Sequence, residues 1–579
     1  MMSKSLNSRR RILKLLAGSA PAALLAACVA PQAAAPAAPA APAAPAATEA
    51  PKPTEAPAAA PTEAPKATEA PAAPAESGPT RAETLIFGSD TTDIISLDPA
   101  VAYEFSGIQA EASCYECLVS PEPGTPGVKP LLAESWEAKE DGDTLTFTFK
   151  LNAKAKFASG KPVTSEDVVY SWGRAVDLNK SPAFLLTDII GLKKENMSAP
   201  DAGTFVVKFP KATGQGVFLS AIGFTVAAVV EKAVVEANKG EDMGSTWLND
   251  HSAGSGPYTL NKWEREVQVV LDANPNYWGT APKLKRVIMQ NIKDAANRLS
   301  AIETGDADIV QDLSPEQKKS LEGNADVKVI SANNTQLIYL GMNAKKAPLD
   351  NVDVRQAIRY AINYDEIIAL TEGDAALVQE IIPAGFLGYQ GTNPFKQDIA
   401  KAKELLAKAG VKEGVEIEAL VPSDYPAGPI DFPTLAAKIQ SDLAKVGIVL
   451  KLKQMQISEL LGVYRKQEGN IVFILWGPDF SDPHTNAGPF SDYEAKSIAW
   501  RNGWENKEIA ALAKEAASAP TDAERIALYA KFNERMLNEG PYAVLYQPLR
   551  TFGIRANLDG FMFDPSDTPS LTFAAMGKK

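Results

Sequence analysis

The sequence predicts an α/β body of at least two lobes, and three observations carry that expectation. The chain after the first eighty or so residues is about 500 residues long, and single hydrophobic cores rarely grow past ~300. Helix, glycine and strand follow one another directly. Phe432, Leu435, Ala436, Ile439, Leu443 and Val446 form one apolar stripe that stops at Gly447, and Ile448-Val449-Leu450-Lys451-Leu452 follows at once as a strand. Half-buried strands and capped helices also alternate elsewhere. Leu145 to Leu151 alternates apolar and polar residues, as does Thr204 to Phe209. Thr164-Ser165-Glu166-Asp167 ahead of Val168, Val169 and Trp172 reads as a capped helix start, and Ile399, Ala402, Leu405, Leu406 and Ala409 make a further stripe that ends at Gly410.

The N-terminal segment carries an address. Ser8-Arg9-Arg10-Arg11-Ile12-Leu13-Lys14 precedes an Ala-rich apolar run from Leu15 to Ala27. A basic head with a short apolar stretch is a secretory signal, too short and small-residued for a membrane span. The paired arginines resemble a twin-arginine export signal, with Ile12 where that pattern usually has Phe; an ordinary secretory signal is the other reading. Leu25-Ala26-Ala27-Cys28 resembles a lipoprotein box, which makes Cys28 the expected lipidation site and the membrane a partner through that lipid. From Val29 to about Thr80 the chain is almost only Ala, Pro, Thr and Glu, with Thr-Glu-Ala-Pro recurring at Thr48, Thr54, Thr62 and Thr68. It has little to bury, so it is expected to be a stiff spacer, reaching on the order of 150 Å at ~3.1 Å per residue.

The net charge of −13 argues against nucleic acid as a partner. Cysteine is scarce: Cys114-Tyr115-Glu116-Cys117 is the one pair besides Cys28, open to readings as packed thiols, a local disulfide or a redox motif. A zinc site at this pair would need two more ligands, and His251 and His484 are the only imidazoles in the chain; two histidines also make a histidine-based nickel site improbable. No metal or cofactor is expected.

A series of phrases then runs along the body. In order they are Ser96-Leu97-Asp98-Pro99-Ala100, Tyr115-Glu116-Cys117-Leu118-Val119, Pro130-Leu131-Leu132-Ala133-Glu134-Ser135-Trp136, Lys156 to Thr164 running into Glu166 to Trp172, Gly254-Ser255-Gly256-Pro257-Tyr258, Asn274-Pro275-Asn276-Tyr277-Trp278-Gly279, Val354-Arg355-Gln356-Ala357-Ile358 with Tyr360 to Asn363, and Trp476-Gly477-Pro478-Asp479-Phe480-Ser481-Asp482-Pro483. By themselves their glycines, prolines and aromatics mark turns and cores. Their shared order resembles the bacterial extracellular solute-binding family typified by oligopeptide-, dipeptide- and nickel-binding proteins. Cys117 stands where that family usually has Gly.

The resemblance implies a two-lobe periplasmic-binding-protein fold with an added third domain and discontinuous lobes. On that reading residues 1–27 are the signal and 28–81 the lipidated tether. The first lobe is 82–114, 218–338 and 540–579, the added domain 115–217, and the second lobe 339–539. It also implies hinge closure over a ligand and delivery of that ligand to a permease and ATPase complex, by a monomer at the outer face of the cytoplasmic membrane.

Asp479 is the leading site residue. In peptide-binding relatives a carboxylate in the Trp-x-x-Asp-x-x-Asp-Pro phrase pairs with the ligand's α-amine, and an ammonium leaving water needs such a partner. The other reading of Asp479, and the stronger one for Asp482, is a carboxylate capping a turn. Trp476 has two readings, cleft wall or core. Arg501, beside Trp500, could meet a ligand carboxylate bidentately or stand in solvent. Phe105 and Ser106 are further cleft candidates, and Glu104 is a candidate or a solvated face. Oligosaccharide is the alternative ligand class. A hydrolase is disfavoured, because the chain has no Gly-x-Ser-x-Gly, His-Glu-x-x-His or phosphate loop.

Overall fold

Two long strands running side by side set the architecture. In this computed structural model, which describes residues 78–122, 127–425, 428–563 and 571–579, Tyr542–Arg555 lies antiparallel to Val327–Asn333 and then to Leu337–Met342. The expected signal, Cys28 and the tether as far as residue 77 lie outside the described residues. Leu549 to Arg555 pair with the first of these two partners and Tyr542 to Tyr546 with the second. The sheet therefore continues in two directions. On one side it runs through Ile471–Trp476, Val415–Pro422 and Ile448–Met455; on the other it runs through Ile309–Gln311, Thr84–Ser89, Arg286–Asn291, Gln268–Ala273 and Tyr258–Glu264. These are the sheets of two lobes, joined by two strands. The strands change half-sheet at 334–336 and 547–548, so 337–342 and 542–546 pair with the half that continues through Ile471–Trp476.

Polar contacts fix the crossing. The Asn334 N–H donates to the Pro548 carbonyl (3.1 Å), and the Gln547 amide exchanges hydrogen bonds with the Ala384 backbone (2.8 and 3.0 Å). Lys318 pairs with Asp374, whose carbonyl accepts the Leu549 N–H (2.7 Å). Pro548 can sit inside the strand because its carbonyl, not the N–H it lacks, carries the bond.

A separate four-stranded antiparallel sheet, in the order Ala133–Asp141, Thr144–Leu151, Thr204–Pro210, Met197–Asp201, builds a third layer. Every second residue of Thr144–Leu151 is buried, as its alternation predicts. The core there is aromatic: Phe209 stacks on Phe218 at 4.2 Å and Trp172 meets Phe205 edge-on at 5.1 Å. Trp172 lies on the helix Ser165–Leu178, which starts with the capping box formed by Thr164 and Asp167. In the second lobe the helix Phe432–Ala444 is followed by Gly447 at φ +83° and then by the strand from Ile448. The left-handed turn favours glycine there.

Several phrases of the sequence turn out to be buried polar knots. Asp98 and Arg174 form a two-bond fork (2.8 and 2.6 Å) at 0% and 2% side-chain exposure, and Asp98 Oδ1 also accepts the Ala100 N–H. The Glu116 carboxylate collects Ser255 Oγ (2.8 Å), the Tyr277 hydroxyl (3.0 Å) and Trp278 Nε1 (2.8 Å). Three phrases far apart in the chain thus close on one buried acid. Burial pushes its pKa up while the three donors pull it down. Arg359 donates to the carbonyls of Tyr542 (2.7 Å), Leu537 (2.6 Å) and Gly540, which holds the helix Val352–Ala361 against the start of the long strand. Burial lowers its pKa to about 10. At the ends of the body, Asp308 accepts from both Arg81 (2.8 Å) and Lys578 (2.9 Å).

Removing one partner of the Asp98–Arg174 fork leaves a buried charge unanswered. Asp98→Ala or Arg174→Ala is expected to cost about 3–5 kcal/mol in urea unfolding, and the double change Asp98→Leu/Arg174→Met distinctly less.

Candidate functional site

The lobes meet along a seam that includes Asp479. The strand Ile471–Trp476 ends in a loop, 477–483, that turns back across the second lobe toward the aromatic third domain. Phe480 of this loop is buried in that domain's core, together with Ala517 of the second lobe. The seam is close-packed. Gly214 has φ +79°, and a Cβ there would lie 2.1 Å from the Ala517 carbonyl oxygen; one on Gly216 would lie 2.3 Å from Arg525 Nη1. At Gly214 the neighbour is backbone, so only hydrogen fits; at Gly216 it is the end of the Arg525 side chain, which a larger residue would displace. Arg525 in turn forms a buried ion pair with Asp482 (2.6 Å), whose other oxygen accepts the His484 N–H (2.8 Å). Asp482 therefore ties the loop down.

Asp479 is different. It is half-buried and has no cationic partner among the described residues. Its carboxylate accepts a hydrogen bond from the Tyr103 hydroxyl, which belongs to the first lobe's segment just after Leu97-Asp98-Pro99. Tyr103 is packed edge-on to Phe184 (5.9 Å) and against Phe224 (6.2 Å). Burial raises the Asp479 pKa above the usual carboxylate range, and the phenol's donation opposes that rise.

The other candidates divide. Trp476 is half-buried, donates through Nε1 to the Thr485 carbonyl (3.2 Å) and meets Phe490 edge-on, so it braces the wall behind the loop. Arg501 lies 5.8 Å from the Tyr464 ring, and its buried Nε has no hydrogen-bond partner. Trp500 belongs to a surface cluster with Tyr493 (4.7 Å) and Lys496 (3.8 Å above the ring), and none of its contacts reaches Asp479. Phe105 is 57% exposed at the start of the helix Phe105–Cys114. The Ser106 hydroxyl and N–H are engaged with Asp90 and Asp93, so Ser106 secures that helix start. Glu104 accepts the Tyr103 N–H. Cys114 and Cys117 are buried and no disulfide joins them; the Cys117 thiol donates to the Phe224 carbonyl (3.3 Å), and burial pushes the Cys114 thiol far up. An open cavity of ≈510 Å³, lined by Lys318, Lys319, Leu321, Val327, Val329 and Glu372, lies beside the strand crossing and does not include Asp479. Among the described residues, no group of three or more His, Cys, Asp or Glu side chains could hold a metal, and no helix is long and apolar enough to cross a membrane.

Two lobes joined by paired strands, with an added domain and a carboxylate at the seam, define a solute-binding protein of the hinged type. Residues 127–497 match the family described as bacterial extracellular solute-binding proteins, family 5 Middle, and the chain belongs to that family. It is 29% identical over 490 residues to the probable D,D-dipeptide-binding periplasmic protein of Escherichia coli (strain K12), covering 83% of this chain and 92% of that one. The dipeptide-binding protein of Pseudomonas aeruginosa is 28% identical, with 84% and 93% covered. Among solved structures, the periplasmic binding protein DppA from Helicobacter pylori, in complex with the peptide STSA, is 25% identical with a TM-score of 0.69 over 86% of this chain and 98% of that one. HbpA2 from Haemophilus parasuis shares the fold, with a TM-score of 0.76 over 86% and 100%.

Because a side chain at Gly214 would run into the Ala517 backbone, Gly214→Val is expected to hold the two sides of the seam apart. Small-angle scattering should then give a larger radius of gyration than the parent protein, and an unchanged radius would show that the seam yields freely.

Proposed function

We propose that this protein captures short peptides between its lobes outside the cytoplasm and delivers them to the permease of an ABC importer. The observation that carries the reading is Asp479, a half-buried carboxylate at the lobe boundary answered by a neutral phenol and by no cation among the described residues. A desolvated anion of this kind is the partner a peptide's α-ammonium needs. Arg501, with its buried Nε unpartnered, is the corresponding candidate for a ligand carboxylate. The dipeptide- and peptide-binding names of the relatives support the same ligand class. On this reading the chain binds and releases without turnover, acts as a monomer, and is held at the outer face of the membrane by a lipid on Cys28 through the Pro-rich tether.

A thermal-shift screen against di- and tripeptide, oligosaccharide and metal pools tests the ligand class. A ligand at about 100 times its Kd adds about 2.7 kcal/mol of stability, so peptides are expected to raise Tm. A rise with sugars alone would overturn the peptide reading. For a peptide that binds, Asp479→Ala is expected to weaken affinity by about 2–5 kcal/mol by calorimetry. The pH dependence has a definite sign. Only the ionised carboxylate attracts the ammonium, and its pKa is raised, so affinity should fall on acidification before ordinary carboxylates protonate. Lipidation is checked separately: Cys28→Ala should release the protein into the medium.

A further inference from the structure

We infer that Tyr103 is a positioning residue for Asp479, one that holds the carboxylate across the seam through Oδ1 and leaves Oδ2 to take a ligand's ammonium. This rests on the reading of Asp479 as the ammonium seat and adds to it a second residue, from the opposite lobe.

The geometry gives Tyr103 little freedom. Asp98, two-pronged on Arg174, fixes the turn before it, and its carbonyl accepts the N–H groups of Val101 (2.8 Å) and Ala102 (2.9 Å). Phe184 and Phe224 then clamp the Tyr103 ring, and the Glu104 carboxylate takes its backbone N–H. The hydroxyl is thereby delivered to Asp479 Oδ1, while Oδ2 has no protein donor among the described residues. An ionised carboxylate has about four acceptor positions, so one phenol and one ammonium can share it.

The chemistry matches that arrangement. A phenol is a neutral donor: it stabilises the carboxylate without neutralising it, whereas an arginine or lysine in its place would compete with the ligand's charge. Phe184 and Phe224, packed on Tyr103, carry no charge, and the neighbouring charges are engaged elsewhere, Asp482 with Arg525 and Glu104 with the Tyr103 backbone. The phenol is thus the group that offsets the burial of Asp479. Without it the acid would hold its proton to higher pH and lose its grip on an ammonium earlier during acidification.

Tyr103→Phe keeps the ring and its packing and removes only the donor. The full-length protein, labelled with ¹³C at the aspartate side-chain carboxyl, is titrated by NMR, with Asp479→Asn identifying the Asp479 signal. A hydrogen bond to a charged acceptor of ordinary strength corresponds to a shift of about one pH unit, so Tyr103→Phe is expected to raise the Asp479 midpoint by roughly that much. An unchanged midpoint overturns the proposal. A second arm measures the Kd of the dipeptide Ala-Leu between pH 5 and 8. The loss of affinity in Tyr103→Phe is expected to grow as pH falls, up to about tenfold beyond its value at pH 8. A uniform loss across the range would mean that Tyr103 only shapes the site, and would also overturn the proposal. If Asp479→Asn leaves Ala-Leu binding intact, or wild type does not bind it, the ammonium-seat reading fails, and the NMR midpoint still decides whether Tyr103 governs the charge of Asp479.

Discussion

Asp98 and Arg174 meet in a fork that water does not reach, and much of the protein's geometry is referred to it. One partner stands in the first lobe just ahead of the segment that faces the seam; the other sits on the helix of the aromatic third domain. Two charges out of water are tolerable only when each satisfies the other, so the pair admits essentially one relative placement of loop and helix. From that fixed point the chain needs five residues to reach Tyr103. A first-lobe loop that could drift would not present a hydroxyl to a carboxylate on the other lobe.

Motion and rigidity are separated in this body. Within each lobe, buried polar knots tie distant segments together: Glu116 has three donors, and Arg359 has three carbonyls. Between the lobes there are two strands, and a seam where Gly214 and Gly216 allow backbone and guanidinium to approach without a side chain in the way. A hinge needs few residues that absorb rotation and stiff bodies on both sides, and this distribution of contacts supplies both.

Local elements were well legible in the sequence because their causes are local. The Thr164–Asp167 capping box, the alternating strand from Thr144 and the glycine stop before Ile448 each depend on neighbours in the chain. The recurring phrases were legible as marks of a family, although their physical meaning was not. Nothing in Tyr115-Glu116, Gly254-Ser255-Gly256 or Tyr277-Trp278 announces that they share one carboxylate. The site divides in the same way. Asp479 is visible within its phrase; Tyr103 is not, although Glu104, Phe105 and Ser106 beside it are, since its partner lies 376 residues away. Trp500 is read from the same stretch of chain, but the cluster it forms with Tyr493 and Lys496 depends on a turn that its own neighbours do not announce.

The clip at Asp308, which gathers Arg81 near the first described residues and Lys578 near the last, has a mechanical consequence. Any pull arriving through the preceding chain enters the first lobe at Arg81 and is shared at once with the C-terminal strand, through two charged contacts on a single acid. Gly577–Lys578 pairs with Leu558–Asp559 outside the large sheet, so the load is taken up within the first lobe and does not pass along the two crossing strands. Were the chain held by its N-terminal end, the first lobe would bear the load, and the second, carrying Asp479, would be the half left to swing.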